Sequence, residues 1–175
     1  MLRICLLSSC IAILCLAVLP ISSPAVSEEG SLSVPTGQTI LTIEGKIGVT
    51  NVDGKAVFDR DMLERLGTIA IETSTPWFDG PVRFEGVSAK AVMDLVAAGG
   101  AEVVAVALND FRTTIPLSDF SDYGVILALK RNGEYMPVSD KGPLFIVYPY
   151  DSDPALHTQQ YYARSAWQLA RLIVR

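Results

Sequence analysis

The chain has 175 residues, half of them hydrophobic, with 14 basic and 19 acidic side chains, three cysteines and one histidine. A formal charge of −5 argues against a nucleic-acid partner, because such binding is dominated by cationic contacts to phosphates. All three cysteines (Cys5, Cys10 and Cys15) sit near the start, so the remainder holds no thiol nucleophile, zinc–thiolate site or iron–sulfur cluster.

Arg3 precedes an apolar run over 4–19, which Ser8 and Ser9 interrupt and Pro20 closes. A spanning helix needs about 20 apolar residues, so this run is short and broken for an anchor. A basic start, a short apolar core and small residues after a helix breaker form the secretory pattern. Ala25 and Ser27 stand in the small-x-small arrangement of a signal-peptidase site, which predicts a signal peptide over 1–27. The alternative is a retained N-terminal anchor. A lipoprotein signal needs a small residue before its cysteine; Leu14 precedes Cys15, and Cys10 comes too early. Cleavage leaves 148 cysteine-free residues and takes the formal charge from −5 to −6, a length suited to one domain with one core. The expected location is periplasmic or otherwise exported, soluble, with no membrane anchor after cleavage.

Residues 28–38 are polar, with Gly30, Pro35 and Gly37, and read as part of a flexible leader over 28–39. A strand follows over 39–47, with Leu41, Ile43 and Ile47 in period-two alternation. After a turn at 51–54, Asp59 caps a short helix over 60–66 that Gly67 ends. Residues 68–73 are a strand, 74–81 a loop holding Pro76, Trp77, Asp79 and Gly80, and 82–84 a short extended piece. Ser88 caps a helix with Val92, Leu95 and Val96 at i, i+3 and i+4, stopped by Gly99-Gly100.

A strand over 103–108, a turn at Asn109-Asp110 and a return over 113–115 lead to a helical turn after Pro116 and Leu117. The apolar run 125–130 and Asn132-Gly133 predict a type I′ hairpin returning over 134–136. Residues 144–148 form a buried strand, 151–154 a loop and 156–164 a helical turn, while 167–174 fits helix or strand equally. Short strands and helices without regular alternation predict a single α+β domain of mixed β-sheet over 40–175, with Ile43, Ile71, Val104, Leu127 and Ile146 in its core.

Five stretches in this order resemble a known family. Phe84-Glu85-Gly86-Val87 and the helix to Leu95 resemble the "W-x-G-V-x-L-x-x-L-L" segment of sulfite-oxidase-type molybdopterin-binding domains. Ala107-Leu108-Asn109-Asp110-Phe111 with Ile115-Pro116-Leu117 is similar to its "S-x-D-G-Y…lpl" stretch, and the strand to Leu129 with Asn132-Gly133 and Met136-Pro137 to "vlLA…nGepLp". Gly142-Pro143-Leu144 with Val147 and Pro149 resembles "hGxPlRlvvP", and Trp167 with Leu172-Ile173-Val174 resembles the terminal "KWlxxIeV". The resemblance runs from about Ile40 to Arg175 and implies the fold of that family.

It also implies a molybdenum-ligating cysteine at the end of a strand, where Thr73, Ser74 and Thr75 stand here. Phe145 replaces the "PlR" arginine, Asp140-Lys141 the preceding histidine, and Ala166 the terminal lysine. Ligand and phosphate-gripping cations are therefore depleted together, so no cofactor is expected. The expected function is a non-catalytic ligand-binding or sensory-accessory module, its partner a small polar ligand or another periplasmic protein. The alternative is a molybdopterin-dependent oxidoreductase with an oxygen ligand from 73–75; a third reading is an unrelated periplasmic module.

The candidate pocket comprises Thr73, Ser74, Thr75, Trp77, Arg83, Asn109, Asp110 and Lys141, with no catalytic residue and no metal ligand assigned. Three hydroxyls and an indole suit a small polar ligand. Equally, Trp77 suits a plug of the space a cofactor leaves. Asn109 and Asp110 are also turn formers, and Arg83, Lys141 and Arg164 are candidate cations whose plain placement is the surface. His157 reads as a solvent-facing loop residue, and Asp151 and Asp153 as solvated carboxylates.

Overall fold

The computed structural model describes residues 32–175. The expected signal peptide and the first leader residues lie outside the described residues. Ten strands and four short helices follow: β1 (Thr39–Gly45), β2 (Ala56–Asp59), α1 (Arg60–Glu64), β3 (Ile69–Thr75), β4 (Phe78–Ser88), α2 (Ala89–Leu95), β5 (Glu102–Ala107) and β6 (Arg112–Pro116). Then come α3 (Ser118–Asp122), β7 (Ile126–Arg131), β8 (Glu134–Tyr135), β9 (Phe145–Val147), α4 (Gln159–Arg164) and β10 (Leu169–Val174). The fold is mixed α+β. No described helix is long and apolar enough to cross a membrane.

The strands form two sheets. One has the order β2-β1-β10-β5-β6; the other runs β3-β4-β7, with β8 and β9 pairing successive parts of β7. β1 and β10 pair in parallel, joining the two ends of the domain at the middle of the first sheet. Both sheets contribute to one main core, through Leu41, Ile43 and Leu172 from the first and Val87, Leu127 and Ile146 from the second. A smaller cluster, with Phe84, Ile126, Ala128 and Phe145, packs on the opposite face of the second sheet. Of the five expected core positions, Ile43, Leu127 and Ile146 join the main core. Val104 is buried outside that cluster, because β5 presents Val103 and Ala105 to it instead, and Ile71 only flanks the smaller cluster, half-buried.

Several expected boundaries shift. The expected loop over 74–81 is a hairpin tip: β3 continues to Thr75, Pro76-Trp77 turn the chain, and β4 starts at Phe78. The register slips between Ser74 and Thr75, and Gly80 takes φ +70°, so Asp79-Gly80 form an irregular bulge. Pro81 is tolerated because β4 meets β7 only from Phe84 onward, and a proline has no N–H to give a second ladder. Helix α2 ends before Gly99-Gly100. Ala97 takes φ +49°, and Ala98 N donates to the Met93 carbonyl and Ala97 N to that of Asp94, so a left-handed alanine rather than a glycine closes this helix, while Gly48 N and Val49 N donate to the Val96 carbonyl.

Local signals at other ends match the structure. Ser88 Oγ accepts from Ala91 N, and Asn132 and Gly133 adopt φ +51° and +86°, the signs a type I′ turn requires. The leader is tied down from Ser33 on: Asn51 Nδ2 donates to the Ser33 carbonyl at 2.7 Å, while Thr36 N and Gly37 N donate to Asp59 Oδ2 at 2.9 and 2.8 Å. Asp59 Oδ1 accepts from Met62 N at 2.9 Å, so one buried carboxylate caps α1 and fastens the leader.

The Gly37 N–H, then that of Met62, hold the Asp59 carboxyl below the ordinary 3.8, with Thr36 and Arg65 adding to the effect against the opposing cost of burial. A depressed folded pKa gives stability that is full above the unfolded value and is lost as pH falls through the folded one. Asp59→Asn places an NH2 or loses an acceptor against these donors. It is expected to cost about 1–3 kcal/mol at pH 7, and to flatten the fall in stability below about pH 4. Urea titrations of both proteins between pH 7 and 2.5 check this; parallel pH profiles would contradict it.

Candidate functional site

Three separate stretches meet at one end of the molecule. The β3–β4 tip brings Pro76 and Trp77, the β5–β6 tip brings Asn109 and Phe111, and α4 with the segment after it brings Gln159, Tyr162, Ala163, Ser165, Ala166 and Trp167. Main-chain bonds fasten the join: Leu108 N donates to the Gln168 carbonyl, Gln168 N to that of Lys141, and Ile146 N to that of Ala166. Between them lies a cavity of about 400 Å³. Such a volume falls in the range of roughly 300–1,000 Å³ of small-molecule sites.

Trp77 is the central wall. Its ring meets Phe145, Trp167, Tyr162 and Tyr150 edge-to-face at centroid distances of 5.4, 5.6, 6.1 and 6.5 Å. It packs against both apolar clusters yet stays half-exposed toward the cavity, so it is plug and wall at once. Trp167 is 36% exposed and Phe111 48% exposed, both lining the cavity, with Leu108 beside them at 53%. Large apolar side chains bared together in this way mark a binding surface more often than a chance exposure.

The polar walls are few. Asn109 Oδ1 accepts from Phe111 N at 3.1 Å, which holds the turn, and its Nδ2 makes no hydrogen bond among the described residues. Ser165 Oγ donates to the Tyr161 carbonyl and is paired with the Tyr150 hydroxyl. Burial pushes the Tyr150 phenol up, so it stays protonated. No lining residue is Asp, Glu, Lys, Arg or His.

Of the expected pocket residues, Trp77 and Asn109 reach this cavity. Thr73, Ser74 and Thr75 do not line it. Thr73 Oγ1 is buried, accepts from Asp151 N at 3.0 Å and donates to the Ser74 carbonyl; Ser74 N donates to Asp151 Oδ2 at 2.6 Å; Thr75 Oγ1 accepts from Trp77 N. Thr73 and Ser74 thereby clamp the hairpin tip to the turn at Tyr150–Ser152 (a 3₁₀ turn), while Thr75 braces the tip itself. Asp110 serves the turn alone, at φ +64° with its N–H on the Ala107 carbonyl. Arg83 points away and pairs with Glu85 at 3.1 Å. Lys141 stands just outside the lining, its ammonium 4.1 Å from the Trp167 ring centroid and 5.7 Å from that of Trp77, its pKa lowered chiefly by burial. Lys141, rather than Arg83, is the cation nearest Trp77 among these candidates.

His157 is more than a solvent-facing loop residue. Its Nε2 pairs with Asp151 Oδ1 and its Nδ1 with the Tyr162 hydroxyl, each at 3.1 Å, linking the hairpin clamp to the cavity wall. The Asp151 carboxyl is held low, first by the Ser74 N–H, with His157 contributing less. Arg164, also expected at the surface, pairs instead with the buried Asp119 at 2.8 Å. Among the described residues, no three His, Cys, Asp or Glu side chains gather as a metal-binding group.

Phe111, Gln159, Tyr162 and Ser165 escaped the sequence reading. Only Phe111, one step from the Asn109-Asp110 turn, carried a usable signal there: a large aromatic at a hairpin tip. Comparison of the chain with protein-family models gives no match, and comparison with curated protein sequences gives none either.

Proposed function

We propose that this chain is an exported, non-catalytic ligand-binding or sensory-accessory module, built on a scaffold like that of the sulfite-oxidase-type molybdopterin-binding domains and working without their cofactor. The observation that carries this reading is the roughly 400 Å³ aromatic-walled cavity, which the 73–75 stretch does not line. A molybdenum centre selects soft thiolate donors, and this stretch offers Thr73, Ser74 and Thr75 in their place. Thr73 and Thr75 are engaged by Asp151 N and Trp77 N, so neither hydroxyl is free to act as an oxygen ligand. Phe145 is fully buried where the resembled family has an arginine, and Ala166 lines the cavity where it has a lysine. These residues do not fit a molybdopterin phosphate. Fold alone confers no chemistry, and what remains here is a pocket.

Protein purified from its native compartment is expected to carry far less than one molybdenum per chain and no pterin. Near-stoichiometric metal with sulfite- or sulfoxide-type turnover would overturn the reading. Trp77→Ala is expected to abolish ligand or partner binding while keeping the fold. Because Trp77 is half-exposed, its loss is expected to cost about 2–3 kcal/mol, below the roughly 3–5 of a fully buried tryptophan. Urea denaturation and far-UV circular dichroism check that part.

A further inference from the structure

We infer that the cavity takes an uncharged saccharide, a ring with an apolar face and hydroxyls around its edge. This rests on the reading of the cavity as a ligand pocket. The walls decide the charge first. No Asp, Glu, Lys, Arg or His lines the cavity, so no wall side chain offers a charged guest an ion pair. For an anion the walls offer only neutral rings and amides, and the nearby Lys141 ammonium is already engaged over the Trp167 ring. A cation is the obvious guest of an aromatic cage. Here the Lys141 ammonium, 4.1 Å from the Trp167 ring and 5.7 Å from that of Trp77, already occupies that role and repels a second positive charge.

The polar groups then decide the edge. Ser165 Oγ is saturated by Tyr161 and Tyr150. That leaves the Nδ2 of Asn109 and the Gln159 amide, which has no hydrogen-bond partner among the described residues. A primary amide offers donor and acceptor together, and so does each sugar hydroxyl, so neighbouring hydroxyls match these two amides. The bared rings of Trp167 and Phe111 supply the surface on which an apolar sugar face lies.

Both tryptophans of the chain line the cavity, so intrinsic fluorescence reads occupancy directly. The full chain is titrated with cellobiose and N,N′-diacetylchitobiose, with the cationic glucosamine disaccharide and an anionic hyaluronan disaccharide as charged counterparts. Caffeine serves as a flat uncharged ring without hydroxyls. A saturable change is expected with at least one neutral disaccharide, at a Kd tenfold or more below those of the charged sugars and of caffeine. Asn109→Ala is expected to raise that Kd about fivefold, and Trp167→Ala to remove binding with unchanged far-UV circular dichroism. Equal or tighter binding of a charged sugar or of caffeine, or no saturable change with either neutral disaccharide, overturns the saccharide assignment. If another probe binds and Trp167→Ala abolishes it, the pocket reading survives that failure. Molybdenum in the native protein, measured separately, would remove the pocket reading itself.

Discussion

Replacing Gly86 by alanine is expected to destabilise the domain severely. Gly86 lies in β4 where its pairing with β7 slips register, between Glu85 and Gly86. A Cβ built there would stand 2.1 Å from the Leu127 carbonyl oxygen, 2.6 Å from the Ala128 Cα and 2.7 Å from the Leu127 carbonyl carbon. All three are main-chain atoms of the neighbouring strand, so no rotamer change relieves the clash. The two central strands of the second sheet must separate, and Val87, Leu127 and Phe84 lose their packing on both faces. Overpacking usually costs about 1–3 kcal/mol, and an obstruction made of main chain puts this change at roughly 3–5 kcal/mol. Gly99→Ala is the control: nothing lies within 4 Å of its added Cβ, and its effect is expected within about 0.5 kcal/mol of zero. Urea midpoints of the three proteins compare them. Equal midpoints for the two variants would show that β4 and β7 are not so closely apposed.

The second large effect is expected from Asp119→Ala. This carboxylate is buried at the start of α3, accepting from the Tyr148 hydroxyl at 2.7 Å and from Arg164 Nη1 at 2.8 Å. Burial, together with the bond to Asp119, pushes the Tyr148 phenol far up, so it remains a donor at every accessible pH. Removing the carboxylate strands a buried hydroxyl and takes the counter-charge from a mostly buried guanidinium. Breaking such a buried pair costs about 3–5 kcal/mol, since the partner is left with its desolvation uncompensated. Asp119→Asn keeps an acceptor for Tyr148 but not the charge facing Arg164, and an intermediate loss is expected. Arg164 closes α4, whose Gln159 and Tyr162 line the cavity, so the alanine variant should also weaken ligand binding. Adding Arg164→Met should recover part of the lost stability by removing the stranded charge. If Asp119→Ala shifts the urea midpoint no more than a surface substitution, the buried network contributes nothing.

The cavity and the buried pair differ in how far the linear chain foretold them. Trp77 and Asn109 stood out because an indole after proline and an amide in a tight turn are conspicuous among polar neighbours. The hydroxyls at 73–75 stood out for the same reason, yet the fold ties Thr73 Oγ1 and the Ser74 N–H to Asp151, 78 and 77 positions away in the chain. Nothing within a window of a dozen residues announces that pairing. Gln159 and Tyr162 read as ordinary helix residues until two hairpin tips and α4 meet. Arg83 and Lys141 looked alike as lone cations; one lies beside Glu85, and the other is carried onto two indole rings by a turn at φ +66°.

What the sequence determined by itself was whatever depends on neighbours along the chain. The Asp59 and Ser88 caps, the Asn132-Gly133 turn, the apolar run of β7 and the absence of thiols after Cys15 are all of this kind. Tertiary structure decided where local preference was balanced or overruled. Leu169 and Leu172 lie three apart, a helical spacing, yet both point into the main core from one strand because a bulge between Leu169 and Arg171 shifts the alternation. Pairing with β1 and β5, far away in sequence, supplies the hydrogen bonds that settle β10 as a strand. The end of α2 falls at a left-handed Ala97, short of its glycines, with Gly48 and Val49 from the end of β1 satisfying the Val96 carbonyl. Short-range signals fix single turns and caps, whereas partners for main-chain groups and walls for a cavity come from long-range packing, which periodicity along one segment does not encode.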